Sequence, residues 1–597
     1  MDKRIIGLIS IIITFFLIVT VTTQIDNNSS ASIDYFEGLH FSIGKGVNTQ
    51  DIYCYYAEAD DSNYLFLPAY ASDIQVNISH LDCAYFTYQG TVYQQGDLFI
   101  DKRGKTNELI FYDKDGTILQ QGNLKVYQSA NIPCIDISTA SGSMSHIYEN
   151  KENKEEGMIK VLSETGDLLR YDNFSALHGR GNTSWESDKK GFELRFDNPV
   201  DMLGMKPANR FILLSNYYDS TYLRNKIGMD LGTSLLMGST PQSQFVDLYI
   251  NGNYAGLYQI MERIGLESNQ TDVKSDYLLE IDYLERTVDK NYILLENKQP
   301  IVIKEWNNTL SDKELKQIEN FFVELEEALD TDDFIHPKTK KHVFEYIDIE
   351  SFSKRFIMDE FLQDMDFGFS SYYIYLSEMN DSLMLYAGPV WDLDNTMGRG
   401  TEREPLLSYA NQYELAVNNI SRWYARLYQN EDFYKKIAEH YHTYFRPELT
   451  WILKDGITQW NTELLASAEM DIARYGTDRS IFMTDSTRED HMDYLLSYLE
   501  NKLSVMDQKW KDPIDYSIWN IEKQVELPDL EQQVRDTNIA ASPSDEQNYS
   551  LPMTIVLVLF LVSFIFLIKS DFSTNWSEKA EEKRCKPMKS KINIDMN

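Results

Sequence analysis

The sequence predicts a mixed α+β fold, and three observations predict it. Short aromatic and β-branched runs, broken by Gly, Asp and Asn, fill residues 35–127, and alternating strands resume from Ile132. Beyond Gln299 the apolar residues recur at helical spacing instead. Apolar runs of membrane-spanning length lie near both ends, at 5–22 and 551–568.

The chain has 597 residues, of which 43% are hydrophobic, so it can bury a large core. Its net charge of −37 argues against a nucleic-acid partner, because phosphate backbones recruit Lys and Arg. Met1–Arg4 is a short basic start, and the apolar run after it lacks a clear A-x-A cleavage site. Residues 1–24 are therefore expected to be a signal peptide or, in preference, an uncleaved anchor. The run at 551–568 is expected to be a transmembrane helix, followed by a tail at 569–597 carrying Lys569, Lys579, Lys583, Arg584, Lys586, Lys589 and Lys591. Basic residues outside both runs place both termini in the cytoplasm and the body outside the cell membrane. Residues 521–550 are polar, contain Pro528 and Pro543, and read as a linker to the membrane. Cys54, Cys83 and Cys134 allow at most one disulfide in the body, and no C-x-x-C or H-E-x-x-H supports zinc. His440 and His442 read as ordinary surface residues.

Residues 30–128 have the pattern of an all-β, sandwich-like domain whose aromatics fill its core. A second unit, 132–515, opens on strands at Ile132-Pro-Cys-Ile-Asp-Ile and Met158-Ile-Lys-Val-Leu. His178-Gly-Arg-Gly-Asn-Thr-Ser-Trp185 is a glycine-containing loop of the kind whose backbone N–H groups approach an anion. Lys189-Lys-Gly-Phe-Glu-Leu-Arg-Phe196 then alternates like a strand that begins with two lysines. A lysine beside such a loop suits a nucleotide phosphate, and alternation leaves open which of Lys189 and Lys190 points inward. A helix is expected from about Ser220 to Met237. Asn251-Gly-Asn then joins two strands as a hairpin. Loop, Lys-bearing strand, helix, strand and strand is the element order of a kinase N-lobe.

Helices are expected at 311–329, 349–362, 431–442, 451–468 and 487–510. The second of these ends in an acidic loop with Asp364 and Asp366. The stretch Tyr386-Ala-Gly-Pro-Val-Trp-Asp-Leu-Asp-Asn-Thr-Met-Gly398 ends a strand in Asp392, Asp394 and Asn395. Oxygen donors in such a turn suit Mg²⁺ against a phosphorylated substrate. Asp366 and Asp392 could meet across this loop–strand pair, one accepting a proton and the other holding the metal.

These stretches resemble the spore coat protein H (CotH) family of atypical kinases. The resemblance rests on H-G-R-G-N-T-S-W at His178, K-K-G-F-E-L-R-F at Lys189 and L-L-S-N-Y-Y-D-S-T-Y-L-R-N at Leu213. It continues in D-L-Y-I-N-G-N-Y-A-G-L-Y-Q-I-M-E-R-I at Asp247, D-E-F-L-Q-D-M-D at Asp359 and G-P-V-W-D-L-D-N-T-M-G at Gly388. It covers about 132–510 and implies a bilobal, protein-kinase-like fold that uses ATP and Mg²⁺ to phosphorylate Ser or Thr of a protein. By motif, Asp366 matches the catalytic aspartate and Asp392 the metal-binding one. Asp394 and Asn395 are further metal candidates, Lys190 and Arg180 would bind the nucleotide, and Glu262 would lie near the hinge. The chain departs from the family pattern at Asp364, where many members have Asn, and at Ser371, where some have a metal-binding Asn. The helix offers no glutamate to pair with the lysine, and Asp230 is its only internal acid.

The expected activity is that of a membrane-anchored kinase acting on cell-surface or coat proteins. Two alternatives stand beside it: a non-catalytic adhesin or scaffold on the same fold, and another ATP-dependent transfer such as adenylylation or glutamylation.

Overall fold

The computed structural model describes residues 34–522, except 45, 73–74, 100–106, 182, 239, 267–274, 288–289, 296–298, 308–309, 365–370, 380–381, 400–421, 478–482 and 484–485. The apolar runs at 5–22 and 551–568, the linker and the basic tail lie outside the described residues. Among the described residues no helix is long and apolar enough to cross a membrane.

The fold is mixed α+β with several sheets. In the N-terminal region, Leu39–Ile43 pairs with Gln50–Tyr53 on one side and Val76–Leu81 on the other. A six-stranded sheet lies beside it, ordered Tyr55–Ala57, Ser62–Leu67, Ile118–Gln128, Asn107–Tyr112, Tyr85–Tyr88 and Thr91–Tyr93. Phe41, Phe66, Phe86 and Phe111 are buried in one cluster, so these aromatics are core residues. Tyr249, Tyr254 and Met470 from later elements belong to the same cluster. The Tyr249 hydroxyl donates to the Phe66 carbonyl at 3.1 Å. The two β regions therefore share a core rather than meeting through a linker.

Seven strands next close into a barrel. In spatial order they are Cys134–Thr139, Glu155–Leu162, Leu168–Arg180, Gly191–Val200, Ala208–Leu214, Asn253–Glu262 and Ser243–Ile250. The first and last pair in parallel, from Cys134 opposite Asp247 to Ile137 opposite Ile250. Period-2 alternation turns Phe192, Leu194 and Phe196 into the barrel and Glu193 and Arg195 out of it. Two strands, not one, stand between the glycine loop and the Arg224–Ser234 helix. The second contains the unbroken apolar run Phe211-Ile-Leu-Leu, which has no alternation to announce a strand.

A five-stranded sheet follows, ordered Tyr292–Leu294, Pro300–Trp306, Tyr277–Ile281, Tyr372–Met379 and Ser382–Ala387. Helices Asp312–Leu329, Ile349–Leu362, Glu431–His440, Ile457–Tyr475 and Arg488–Lys509 bury their apolar faces in one large core with it. Two π-helical turns, Tyr441–Phe445 and Ile452–Gly456, interrupt the helical run from Glu431 to Tyr475. His440 is buried, with Nε2 2.9 Å from Glu350, so it is not a surface residue. Cys54, Cys83 and Cys134 are all free thiols.

Candidate active site

The chain leaves the barrel at Arg180 and re-enters at Gly191, directly opposite it in the ladder. The loop between them contains the one-turn helix Thr183–Glu186. Gly181 has φ of +95°, and a Cβ there would collide with Ser184 Oγ. The Lys190 ammonium donates to the carbonyls of Trp185 at 2.7 Å and Ser187 at 3.1 Å. It also sits 5.0 Å over the Trp185 ring. Lys190 thus ties the loop together from within. Lys189 turns the other way and is fully buried. Its Nζ lies 2.8 Å from Asp471, on the Ile457–Tyr475 helix, and donates to the Leu257 carbonyl at 2.5 Å. Asp230, the only acid inside the Arg224–Ser234 helix, is held by Lys226 one turn away at 2.5 Å.

The acidic stretch begins where the Ser382–Ala387 strand ends. Arg355, buried on the Ile349–Leu362 helix and bonded to Asp359 at 2.7 Å, donates to the Pro389 carbonyl at 2.6 Å. Two residues after Val390, Asp392 adopts φ of +61° and ψ of 49°, a left-handed conformation that non-glycine residues rarely hold. Strain of this kind persists only where neighbours over-determine it. The neighbours are identifiable. Asn225 Oδ1 accepts from Leu393 N at 3.1 Å, and Arg224 Nε donates to the Thr396 carbonyl at 3.0 Å. A Cβ on Gly228 would collide with Leu393, so the Arg224–Ser234 helix lies directly against this turn. Asn225 Nδ2 donates to Asn216 at 3.0 Å, whose own amide reaches Gln259 at 3.3 Å. A run of buried amides therefore connects barrel strand to helix to acidic turn. Asp394 and Asn395 lie in the single turn Leu393–Asn395 and are partly exposed.

Loop and acidic stretch meet through Arg180, whose guanidinium lies 4.8 Å over the Trp391 ring. Tyr373 is next to this contact. Burial drives its phenol well upward, and Glu280 and Asp392 add to the effect while Arg180 opposes it. Ser371 Oγ donates to Asp392 Oδ2 at 3.5 Å, a long contact. Met397 N donates to the Leu362 carbonyl at 2.8 Å. Asp366 itself lies outside the described residues, but Ser371 and Leu362, on either side of it in sequence, both touch the acidic stretch. Asp364, before it, is buried.

Glu262 closes its barrel strand with a buried carboxylate that accepts from Gln242 N at 2.9 Å. Burial pushes that carboxyl up to about 7. Its neighbour Arg263 was not singled out by the sequence and does more to connect the elements. Arg263 Nη1 meets Glu305 at 2.5 Å and its Nε lies 3.6 Å from Glu193, which is 3.8 Å from His178 Nε2. This chain of charges joins the glycine-loop strand to the five-stranded sheet. The Glu193 carboxylate raises the His178 imidazole above its usual range. Beside it a cavity of about 330 Å³ is lined by Arg210, Arg263, Leu266, Lys304, Glu305 and Trp306. An arginine directly after a strand ending in Glu was the available signal, but its two partners lie far apart in sequence.

The described residues contain no cluster of three His, Cys, Asp or Glu side chains that would cage a metal unaided. Beside the Asp392 carboxylate lies the Ser371 hydroxyl, and Asp394 and Asn395, also oxygen-bearing, follow in the turn. That set fits a hard cation that completes its shell with water or phosphate.

The left-handed Asp392 turn and the glycine loop meet where the closed barrel adjoins the helical region. The family model described as CotH kinase protein matches residues 177–506, more than half of the chain, and the chain belongs to that family. No curated protein matches it.

Proposed function

We propose that this chain is a bilobal protein kinase that transfers the γ-phosphoryl of ATP to Ser or Thr hydroxyls of a protein substrate. The barrel would be the N-terminal lobe and the helical region the C-terminal one. The observation that carries this reading is the Arg180–Trp391 contact, which brings the glycine loop onto the residue preceding Asp392. Asp392, with Asp394 and Asn395, would hold Mg²⁺, which when bound offsets phosphate charge. Arg180 contacts the phosphates from the loop, Lys190 keeps that loop closed through its two carbonyl bonds, and Glu262 fixes the strand end at the hinge. Asp366 accepts the substrate hydroxyl's proton as its oxygen bonds to the γ-phosphorus and the bond to ADP breaks. The protein's part is mostly positioning and charge, as phosphoryl transfer asks for little else. The apolar runs at 5–22 and 551–568 would anchor the body at the outer face of a membrane, among cell-surface or coat proteins.

A second reading, a non-catalytic scaffold on the same fold, draws on the engagement of both lysines in structural contacts. Incubation with γ-labelled ATP, Mg²⁺ and a generic Ser/Thr substrate separates the two. Transfer by the wild type that is lost in Asp366→Asn and Asp392→Asn, with circular dichroism unchanged, is the expected result. Absence of both transfer and Mg²⁺-dependent ATP binding would leave the scaffold. Added mass of an adenylyl group or a glutamate on the substrate would replace phosphorylation by another transfer.

A further inference from the structure

The chain carries −37 overall, yet one groove on it is lined by lysines. It lies between the Asp312–Leu329 helix, the turn at 336–342 and the start of the Ser382–Ala387 strand, and encloses about 580 Å³. Lys313 and Lys316 come from the helix and Lys341 from the turn, whose sequence His336-Pro-Lys-Thr-Lys-Lys-His342 contains no acid. Among the described residues Lys316 pairs with the exposed Glu319, at 2.8 Å. Lys313 acts electrostatically on its neighbour Glu314, while Lys341 has no ion-pair partner among the described residues and lies 5.6 Å over the Tyr346 ring. Among the described residues Glu324 is the only acid that lines the groove.

The groove also offers an open strand edge. Ser382–Ala387 is the outer strand of its sheet. Leu385 N donates outward to the Tyr346 carbonyl at 2.8 Å, the Leu385 carbonyl accepts from Asp348 N at 2.9 Å, and Ala387 N donates to Ser351 Oγ at 3.1 Å. Alternation in an antiparallel pair directs the Leu383 N–H and C=O to the same side. Leu383 lines the groove, and nothing among the described residues covers it there as Tyr346 and Asp348 cover Leu385. The Tyr372–Met379 strand leads from Ser371, beside Asp392, to this end of the sheet, a span of roughly 20–25 Å at the usual strand rise.

We propose that this groove docks an acidic segment of a protein substrate, which adds a backbone rung at Leu383 and sets its carboxylates against Lys313, Lys316 and Lys341. The assignment of a protein substrate rests on the kinase reading above; the peptide-binding chemistry does not. An extended peptide supplies both the main-chain donor and acceptor that Leu383 needs and the negative charge that the lysines need. A nucleic acid supplies only the charge, and the acidic body repels a long polyanion. Such a site would hold a substrate away from the reacting centre and raise its local concentration there.

The test uses a fluorescein-labelled eight-residue glutamate-rich peptide, read by anisotropy against the full chain in detergent at low and physiological salt. Binding is expected to be weakened at least tenfold in Lys313→Glu/Lys316→Glu/Lys341→Glu and to be unchanged in Lys454→Glu, an exposed lysine elsewhere. Equal binding by the wild type and the triple variant, or no binding by the wild type, overturns the proposal. Tighter binding of a length-matched single-stranded oligonucleotide than of the peptide overturns the peptide assignment. Nucleotide binding, measured on the same samples, reports on the kinase reading separately. Peptide binding without nucleotide binding would keep the groove and remove the enzyme.

Discussion

Lys189 Nζ lies 2.8 Å from Asp471 Oδ1, and neither side chain has any exposure to solvent. Asp471 also accepts from Leu257 N at 2.9 Å and from the Tyr222 hydroxyl at 3.0 Å. One carboxylate therefore ties a barrel strand, the glycine-loop lysine and a helix from late in the chain. Removing one member leaves a buried charge unpaired, which typically costs about 3–5 kcal/mol. Lys189→Met and Asp471→Asn should each lose stability of that order in urea titrations. The double variant Lys189→Met/Asp471→Asn should lose less than the sum of the two. Additive losses would mean that the pair is not coupled.

Gly181 permits the turn after Arg180, because its φ is +95° and Ser184 Oγ occupies the space a Cβ would need. Gly181→Ala is expected to cost about 1–3 kcal/mol from backbone strain and collision. Adding Ser184→Ala should recover only the part due to collision. If the loop cradles phosphate, the single variant also weakens Mg²⁺-ATP binding, which isothermal titration calorimetry would read.

Much of this architecture was legible in local pattern, and the site was legible only in part. The helix Ile349–Leu362 falls where its periodicity put it, with Asp348 capping Ser351 N at 2.7 Å. The hairpin around Asn251 and Gly252 is equally local, since both residues take the positive φ that such a turn requires. What stayed hidden is what pairs across distance. Alternation could not choose between Lys189 and Lys190, because both precede the strand and the choice depends on a helix near the other end of the chain. Asp230, the only acid the neighbouring helix offers, satisfies Lys226 within its own helix. Arg263, Asn225 and Asn216 lie inside the stretches that carry the resemblance, yet only the folded chain reveals which groups they connect.

Asn225 is buried and bonds in two directions, to Leu393 N and to Asn216. Asn225→Ala leaves the Leu393 N–H and the Asn216 carbonyl oxygen unsatisfied, at about 1–3 kcal/mol for such a loss. It also removes one of the contacts that hold Asp392 in its left-handed conformation. The expected outcome is a folded protein with a lower unfolding midpoint and weaker Mg²⁺-dependent nucleotide binding. An unchanged midpoint would show that the amide run does not support the turn.

Glu262 predicts a pH effect whose sign can be worked out. Burial raises its carboxyl from the ordinary 4.5 to about 7 in the folded state. Between those values the folded chain binds more protons than the unfolded one, so stability from this group falls as pH rises from 4.5 to 7. Above 7 both states are ionised and the cost of burying the charge is fully present; below 4.5 both are neutral and it vanishes. Glu262→Gln keeps an acceptor for Gln242 N and carries no charge. With allowance for residual solvent screening, it should stabilise the protein by about 1–2 kcal/mol at pH 8. Near pH 4.5 it should have little effect. Thermal melts of the two proteins at these pH values decide the matter, and a stabilisation that does not depend on pH would mean that the Gln242 contact, rather than the buried charge, sets the energy of this strand end.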